Sequence, residues 1–226
     1  MKRIAICGLS HRTAPVEIRE KLALSAQILP EALAGLAGQA GVEESLILST
    51  CNRVELAFAL HETASINDTL SLFLERFNKV PLTAVDPYLY KLEGNDAVRH
   101  LFRVASSLDS MVVGEPQILG QLKDAYSLAK VHGTVSTHLD QLVTRAFHVA
   151  KRVRTETEIG ATAVSVSYAA VELAREIFGN LASSKVMLVG AGKMSELAAR
   201  HLHNTGAKQI YVTNRTPERA VELARL

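Results

Sequence analysis

The chain has 226 residues, a formal net charge of +2, 48% hydrophobic and 21% charged residues. That is a globular composition, sized for one large or two small domains, and its charge gives no reason to expect wholesale polyanion or membrane-surface binding. Two cysteines, Cys7 and Cys51, with no CxxC and no Cys/His pair at zinc spacing, point away from a disulfide framework and a metal site and toward a reducing cytoplasm.

The first residues are basic and then apolar, but the apolar run stops at Gly8 to Arg12, too short for a signal-peptide core. No stretch reaches the length of a membrane span, so no membrane partner is expected. Arg3 to Cys7, Glu44 to Leu48 and Val54 to Leu60 are predicted strands. Ala26 to Gln39, with Leu29, Leu33 and Leu36 at helical spacing, is a predicted helix, as are Leu70 to Phe77 and Ala97 to Ala105. Strands interleaved with helices around a mainly antiparallel sheet make an α+β domain. Pro116 suits a first helical turn, and that helix runs to about Val131.

Apolar residues then recur from Thr137 to Ile177, with Gly160 as the expected interruption, which is long for a helix in a compact domain and suggests a connecting spine. Arg145, Lys151, Arg152 and Arg154 crowd this stretch, either as a solvated charged face or as phosphate contacts. Lys185 to Val189 is a buried-type strand, Glu196 to His203 a helix and Gln209 to Thr213 a second strand. The expected organisation is therefore an α+β domain with its helices over 1–136, a long connecting helical region over 137–180, and a partial α/β, Rossmann-type domain over 181–226.

Three constellations bear chemistry. Ser49-Thr50-Cys51-Asn52-Arg53 puts a cysteine at the end of an apolar strand among polar residues, where a nearby guanidinium favours a thiolate. Cys7, inside an apolar strand, is most simply a core residue. Gly190-Ala191-Gly192-Lys193-Met194-Ser195, between a strand and a helix, matches the pyrophosphate turn of a dinucleotide-binding unit. There Gly190 permits the turn, Gly192 allows close approach and Ser195 serves as the third small residue. At the end of the second strand, Thr213-Asn214-Arg215-Thr216 has no carboxylate for an NAD ribose. Arg215 suits a 2′-phosphate instead, which predicts NADP(H). Asp109-Ser110 and Gly114-Glu115-Pro116-Gln117 lead into a helix on which Gln117, Gln121 and Asp124 share a face. This set suits a small zwitterion or ordinary capping and surface roles. His100 lies off the apolar stripe of its helix and, from periodicity alone, reads as a solvated or satisfied histidine.

Gly8-Leu9-Ser10-His11-Arg12-Thr13-Ala14-Pro15, Ser49 to Glu55, Arg99-His100-Leu101-Phe102, Gly114 to Gln121 and Gly190 to Met194 together resemble the glutamyl-tRNA reductase family, in order and over essentially the whole chain. The resemblance implies NADPH-dependent reduction of glutamyl-tRNA(Glu) to glutamate-1-semialdehyde, the first step of tetrapyrrole synthesis by the five-carbon route. Cys51 would be the nucleophile of a thioester intermediate and His100 a polarising or proton-handling group. Thr50, Cys51, Asn52, Arg53, Ser110, Glu115, Pro116, Gln117 and Gln121 would line the glutamate pocket, with Arg53 on a substrate carboxylate and Glu115 on the ammonium. Gly190, Ala191, Gly192, Lys193, Met194, Ser195, Asn214 and Arg215 would hold NADPH. No metal is implied. A homodimer of the full-length enzyme and transfer of product to glutamate-1-semialdehyde aminomutase are implied partners.

Family members continue beyond Leu226, so the chain is expected to retain the thioester chemistry, to lack effective hydride transfer and to expose an apolar sheet edge. Rival readings are another NADP-dependent dehydrogenase, which leaves the cysteine motif unexplained, and a tRNA-binding or esterase fragment that does not reduce.

Overall fold

The computed structural model describes residues 2–160 and 166–225. The chain divides into two compact units, Met1–Ala161 and Thr162–Leu226.

The first unit is built on β1 (Lys2–Ser10), β2 (Val42–Ser49), β3 (Arg53–His61) and β4 (Tyr90–Glu93), a fully antiparallel sheet in the order β2-β3-β1-β4. Most of β1 and nearly all of β3 is buried at successive residues, so both faces of these central strands are covered. That explains their continuous apolar runs in place of alternation. The three expected strands are present, each longer at its ends than its apolar run.

Helices α1 (Val16–Leu22), α2 (Leu29–Ala37), α3 (Ile66–Phe73) and α4 (Leu82–Val85) precede β4. After it come α5 (Gly94–Ala105), α6 (Gln117–Val131) and α7 (His138–Glu156). Ile6, Leu9, Phe58, Leu60, Leu101 and Leu139 are among the core residues of the unit. The helix expected from Ala26 starts at Leu29, with Pro30 in its first turn. The one expected from Leu70 starts at Ile66 because Ser65 caps it, accepting from Asp68 N at 3.2 Å. It passes into a π turn over Leu74–Asn78.

The start of α7 is held from a distance. Its own N-cap residue, Thr137, makes no side-chain cap bond. Instead Glu44, buried on β2 at a shift in the β2–β3 register, accepts from Ser136 N at 3.1 Å, His138 N at 2.8 Å and Leu139 N at 2.8 Å. The helical run expected over Thr137–Ile177 is two helices. Thr157 is extended (φ −137°, ψ 163°) and a 3₁₀ turn follows over Glu158–Gly160, so α7 stops at Glu156, before the expected glycine break. The part of that run at 161–165 lies outside the described residues.

In the second unit, α8 (Val166–Phe178) packs on α9 (Lys193–Asn204). The parallel strands β5 (Lys185–Val189) and β6 (Gln209–Thr213) pair from Lys185↔Gln209 to Val189↔Thr213, and α10 (Pro217–Ala224) follows. Val186, Leu188 and Ile210 pack against Val171, Leu181, Leu202 and Ala207, whereas the alternate strand residues Met187, Val189 and Tyr211 are exposed. The β5–α9–β6 order is the one expected, but β5 is not the buried-type strand predicted, since alternate residues are open on one face, and α9 begins at Lys193, three residues before Glu196. Among the described residues no helix is long and apolar enough to cross a membrane.

Candidate active site

The two longest runs of sheet pairing meet at the tip that carries Cys51. Thr50, Cys51 and Asn52 join β2 to β3. Thr50 N donates to Arg53 O at 2.8 Å, and Thr50 Oγ1 accepts from Asn52 N at 3.2 Å and Arg53 N at 3.1 Å. Thr50 therefore shapes the loop, and Cys51 stands exposed on it. Two groups grip the loop from outside: His11 N donates to Asn52 O at 2.8 Å, and Arg19 on α1 donates to Cys51 O and, at 3.2 Å, to Asn52 Oδ1. Cys7 is fully buried, and burial pushes its thiol up to about 12, so it is an inert core residue as expected.

Beneath the loop lies a buried polar cluster. Arg53 is 2% exposed; its Nη1 donates to Glu55 Oε1 at 2.5 Å and its Nη2 to Asp109 Oδ1 at 3.0 Å and to the Asp109 carbonyl. The expectation that Arg53 meets a substrate carboxylate is not what the geometry displays: its guanidinium is bonded to two internal carboxylates. Glu55 Oε1 also accepts from Tyr90 Oη at 2.5 Å and pairs with His100 Nε2 at 2.9 Å. Burial works against the Glu55 carboxylate, but the His100 hydrogen bond, the Arg53 charge and the Tyr90 hydroxyl hold it down to about 2.

The sheet register explains this meeting. Gly8 on β1 is opposite Glu55 on β3 and Tyr90 on β4, so a glycine separates the two side chains across three strands. The His100 and Tyr90 rings lie 5.0 Å apart. His100 is thus a satisfied, mostly buried histidine whose Nε2 is engaged by Glu55.

The segment between α5 and α6 is pinned from three sides. Ser107 adopts a left-handed backbone (φ 60°), donates Oγ to Glu115 O at 2.5 Å and accepts from Gly114 N at 3.0 Å. Gly114 has φ +86°, and a Cβ there would lie 2.3 Å from Ile159 O. Arg154 donates to Gly114 O at 2.8 Å and Glu115 O at 3.4 Å. Arg154 therefore belongs to neither sequence alternative, solvated face or phosphate contact, while its neighbour Arg152 pairs at the surface with Glu156 at 2.8 Å.

Burial raises the Glu115 carboxyl, against a hydrogen bond from Ser110 and the Arg53 charge. Ser110 and Glu115 are buried together beside the Arg53–Asp109 pair. Pro116 and Gln117 are exposed at the start of α6, and Gln121 is half-buried one turn on. Among the described residues, no hydrogen bond ties Gln117 or Gln121 to Cys51, His100 or Glu115.

Sequence reasoning gave Arg19, Tyr90 and Glu55 no role and named Asp109 only as leading into α6. For Glu55 a signal existed, since Arg53 and Glu55 are two apart on a strand and share a face. The others are joined to the site only by tertiary pairing.

In the second unit, Gly190 has φ +107°, and its N–H donates to Thr213 O at 2.7 Å, closing the β5–α9 turn onto the end of β6. Asn214 Oδ1 accepts from Ala191 N at 3.2 Å, and its Nδ2 donates to Thr216 O at 2.8 Å, so Asn214 ties the glycine turn to the next loop. Gly192 is the exposed N-cap of α9, and a Cβ there would meet nothing within 4 Å. The open space over a helix N-terminus and a glycine turn suits a diphosphate. Lys193 and Arg215 are exposed, and Met194 and Ser195 half-buried, around that turn. Among the described residues no cluster of His, Cys, Asp and Glu could hold a metal ion.

Residues 7–157 match the family described as glutamyl-tRNAGlu reductase, N-terminal domain, and residues 172–226 match shikimate / quinate 5-dehydrogenase. A glutamyl-tRNA reductase of Solibacter usitatus is 58% identical over 99% of this chain and 53% of its own length. One of Geobacter sulfurreducens is 53% identical over 98% of this chain and 51% of its own. The solved glutamyl-tRNA reductase from Methanopyrus kandleri is 38% identical, with a TM-score of 0.65 over 98% of this chain and 52% of that one. The chain spans about half the length of the relatives it matches.

Proposed function

The chain belongs to the glutamyl-tRNA reductase family, and from that membership we propose that its chemistry is the NADPH-dependent reduction of glutamyl-tRNA(Glu) to glutamate-1-semialdehyde through a Cys51 thioester. The observation that supports this best is the exposed Cys51 on a hairpin tip, two residues from an arginine that leads through Glu55 to His100. The Cys51 thiolate attacks the glutamyl ester carbonyl; the carbon–oxygen bond to the ribose breaks, the ribose oxygen leaves with a proton, and a glutamyl thioester remains on Sγ.

Bound NADPH would supply the hydride that reduces the thioester carbonyl carbon to the aldehyde, with the Cys51 sulfur as leaving group. His100, its Nε2 committed to Glu55, has Nδ1 left to hold or deliver a proton at the carbonyl oxygen. Glu115, backed by Ser110, pairs with the substrate ammonium, and Thr50 and Asn52 shape the loop on which the acyl group sits. Arg53 serves by fixing Glu55 and Asp109. The turn from Gly190 to Ser195 holds the cofactor diphosphate and Arg215 the 2′-phosphate.

A cytoplasmic homodimer that passes its aldehyde to glutamate-1-semialdehyde aminomutase belongs to the same reading. A dehydrogenase of another kind is not favoured, because the dehydrogenase match begins at residue 172 and leaves Cys51 outside it.

The test is single-turnover mixing of the protein with charged tRNA. Wild type should form a hydroxylamine-sensitive glutamyl adduct, and Cys51→Ser should form none. An adduct of undiminished yield on Cys51→Ser, or binding of charged tRNA with no adduct on wild type, would sink the thioester reading.

A further inference from the structure

We propose that Arg19 is the positioning residue of the nucleophile loop, a role that rests on the reading of Cys51 as the acyl acceptor. The bonds made inside the loop run through Thr50, which fixes the N–H groups of Asn52 and Arg53. The carbonyl of that same Cys51–Asn52 peptide finds no partner within the loop and is left to be tied from outside. Arg19 ties it: Nη1 donates to the carbonyl oxygen of Cys51 itself and, at 3.2 Å, to Asn52 Oδ1, while Nε donates at 3.3 Å to Ala14 O. One planar guanidinium thus spans the loop and the turn between β1 and α1.

The same turn supplies the other grip, His11 N to Asn52 O at 2.8 Å. It is closed by Thr13 N and Ala14 N donating to Ser10 O at 3.0 and 2.9 Å, which sends α1 back past the loop. The motif from Gly8 to Pro15 therefore brackets the nucleophile, and Arg19 is the side chain that completes the bracket. Two consecutive carbonyls, those of Cys51 and Asn52, are tied down, so the exposed thiol stands on a fixed backbone. Acyl transfer needs that fixity, since about 1 Å of misplacement costs on the order of a hundredfold in rate. An ammonium on a flexible stem cannot span three acceptors as a guanidinium fork does.

The experiment compares wild type, Arg19→Lys and Arg19→Gln in single-turnover adduct formation across a range of glutamyl-tRNA concentrations, with amide hydrogen exchange of residues 50–53 measured on the same proteins. In Arg19→Gln the saturating rate should fall roughly 10- to 100-fold, the half-saturating concentration should stay within about threefold, and exchange at Asn52 and Arg53 should quicken while the strands keep their protection. Arg19→Lys should recover part of the rate, and it serves as the test variant if Arg19→Gln does not fold.

An unchanged saturating rate, a loss confined to the half-saturating concentration, or unaltered exchange in the loop would each overturn the proposal. If wild type itself forms no adduct, it is the Cys51 reading that fails, and exchange at residues 50–53 alone decides whether Arg19 holds the loop.

Discussion

A methyl group on Gly8 would land 2.2 Å from Val54 O and 2.8 Å from the Cα of Glu55. These are backbone atoms of a central strand buried at all but its last residue, so relief requires β1 and β3 to separate. Gly8→Ala should therefore lower stability by about 1–3 kcal/mol, the usual cost of overpacking, read as a fall in denaturant midpoint at constant m-value. It should also disturb the Glu55 cluster, since Gly8 lies opposite both Glu55 and Tyr90.

Tyr90→Phe is the gentler probe of that cluster: it removes one donor to a buried carboxylate and keeps the ring beside His100. Loss of a hydrogen bond to a charged group predicts about 1.5–3 kcal/mol, and adduct yield at long times should be preserved because Cys51 is untouched. Full stability in the phenylalanine variant would show that the hydroxyl is not needed to hold Glu55. At this scale the sequence revealed residue types but few partners. Cys51 declared itself by its polar neighbours, whereas two-residue spacing puts Arg53 and Glu55 on one strand face without saying that they pair. Tyr90 and Arg19 were not legible, because their roles depend on strand and helix pairings far along the chain.

Among the elements, α7 depends on a carboxylate borrowed from β2. Glu44 accepts from three N–H groups at the start of α7, and its carboxyl, despite burial, is held by them and by His138 at about 2 against an ordinary 4.5. The folded value lies below the unfolded one, so this contribution is complete above about pH 4.5 and is lost as pH falls toward 2. Glu44→Gln should flatten the stability–pH curve in that window. Glu44→Ala should cost roughly 2–4 kcal/mol by leaving helix-start donors unpaired in a buried site. A pH profile identical to wild type for Glu44→Gln, followed by circular dichroism during acid titration, would count against the cap.

Elements whose pattern is local were legible: β5 and β6 match their expected spans because β5 runs into a glycine turn and the apolar run of β6 stops at Asn214. Strand β4, only Tyr90–Glu93, has no periodic signal and exists because the edge of β1 is available to pair. Helix α7 ends at Glu156, capped by the extended Thr157, whose Oγ1 donates to Val153 O at 2.6 Å, a competition no glycine advertises.

At the scale of the molecule, the proposed function puts the acyl chemistry in the first unit and the nucleotide in the second, so on that reading lesions in one should spare the half-reaction of the other. Arg215 is exposed at the end of β6, where an NAD-specific site would place a carboxylate. On the proposed function its contact with a 2′-phosphate would be a charge-assisted hydrogen bond, so Arg215→Ala should weaken NADPH binding by about 1.5–3 kcal/mol, roughly 10- to 100-fold. NADH affinity should stay the same, and the difference should shrink at high salt because the site is solvated. Titration of both nucleotides by fluorescence measures the ratio directly.

The same variant should form the Cys51 adduct at the wild-type rate, while Cys51→Ser should bind NADPH unchanged. Equal weakening toward both nucleotides in Arg215→Ala would mean that the residue supports the fold of the turn and does not read the phosphate. A parallel loss of adduct formation would mean that the two units act as one in the acyl step. Asn214 helps to separate these outcomes, since it bonds Ala191 N and Thr216 O within the turn. Asn214→Ala is the substitution expected to weaken both nucleotides together, and Arg215→Ala is expected to discriminate between them.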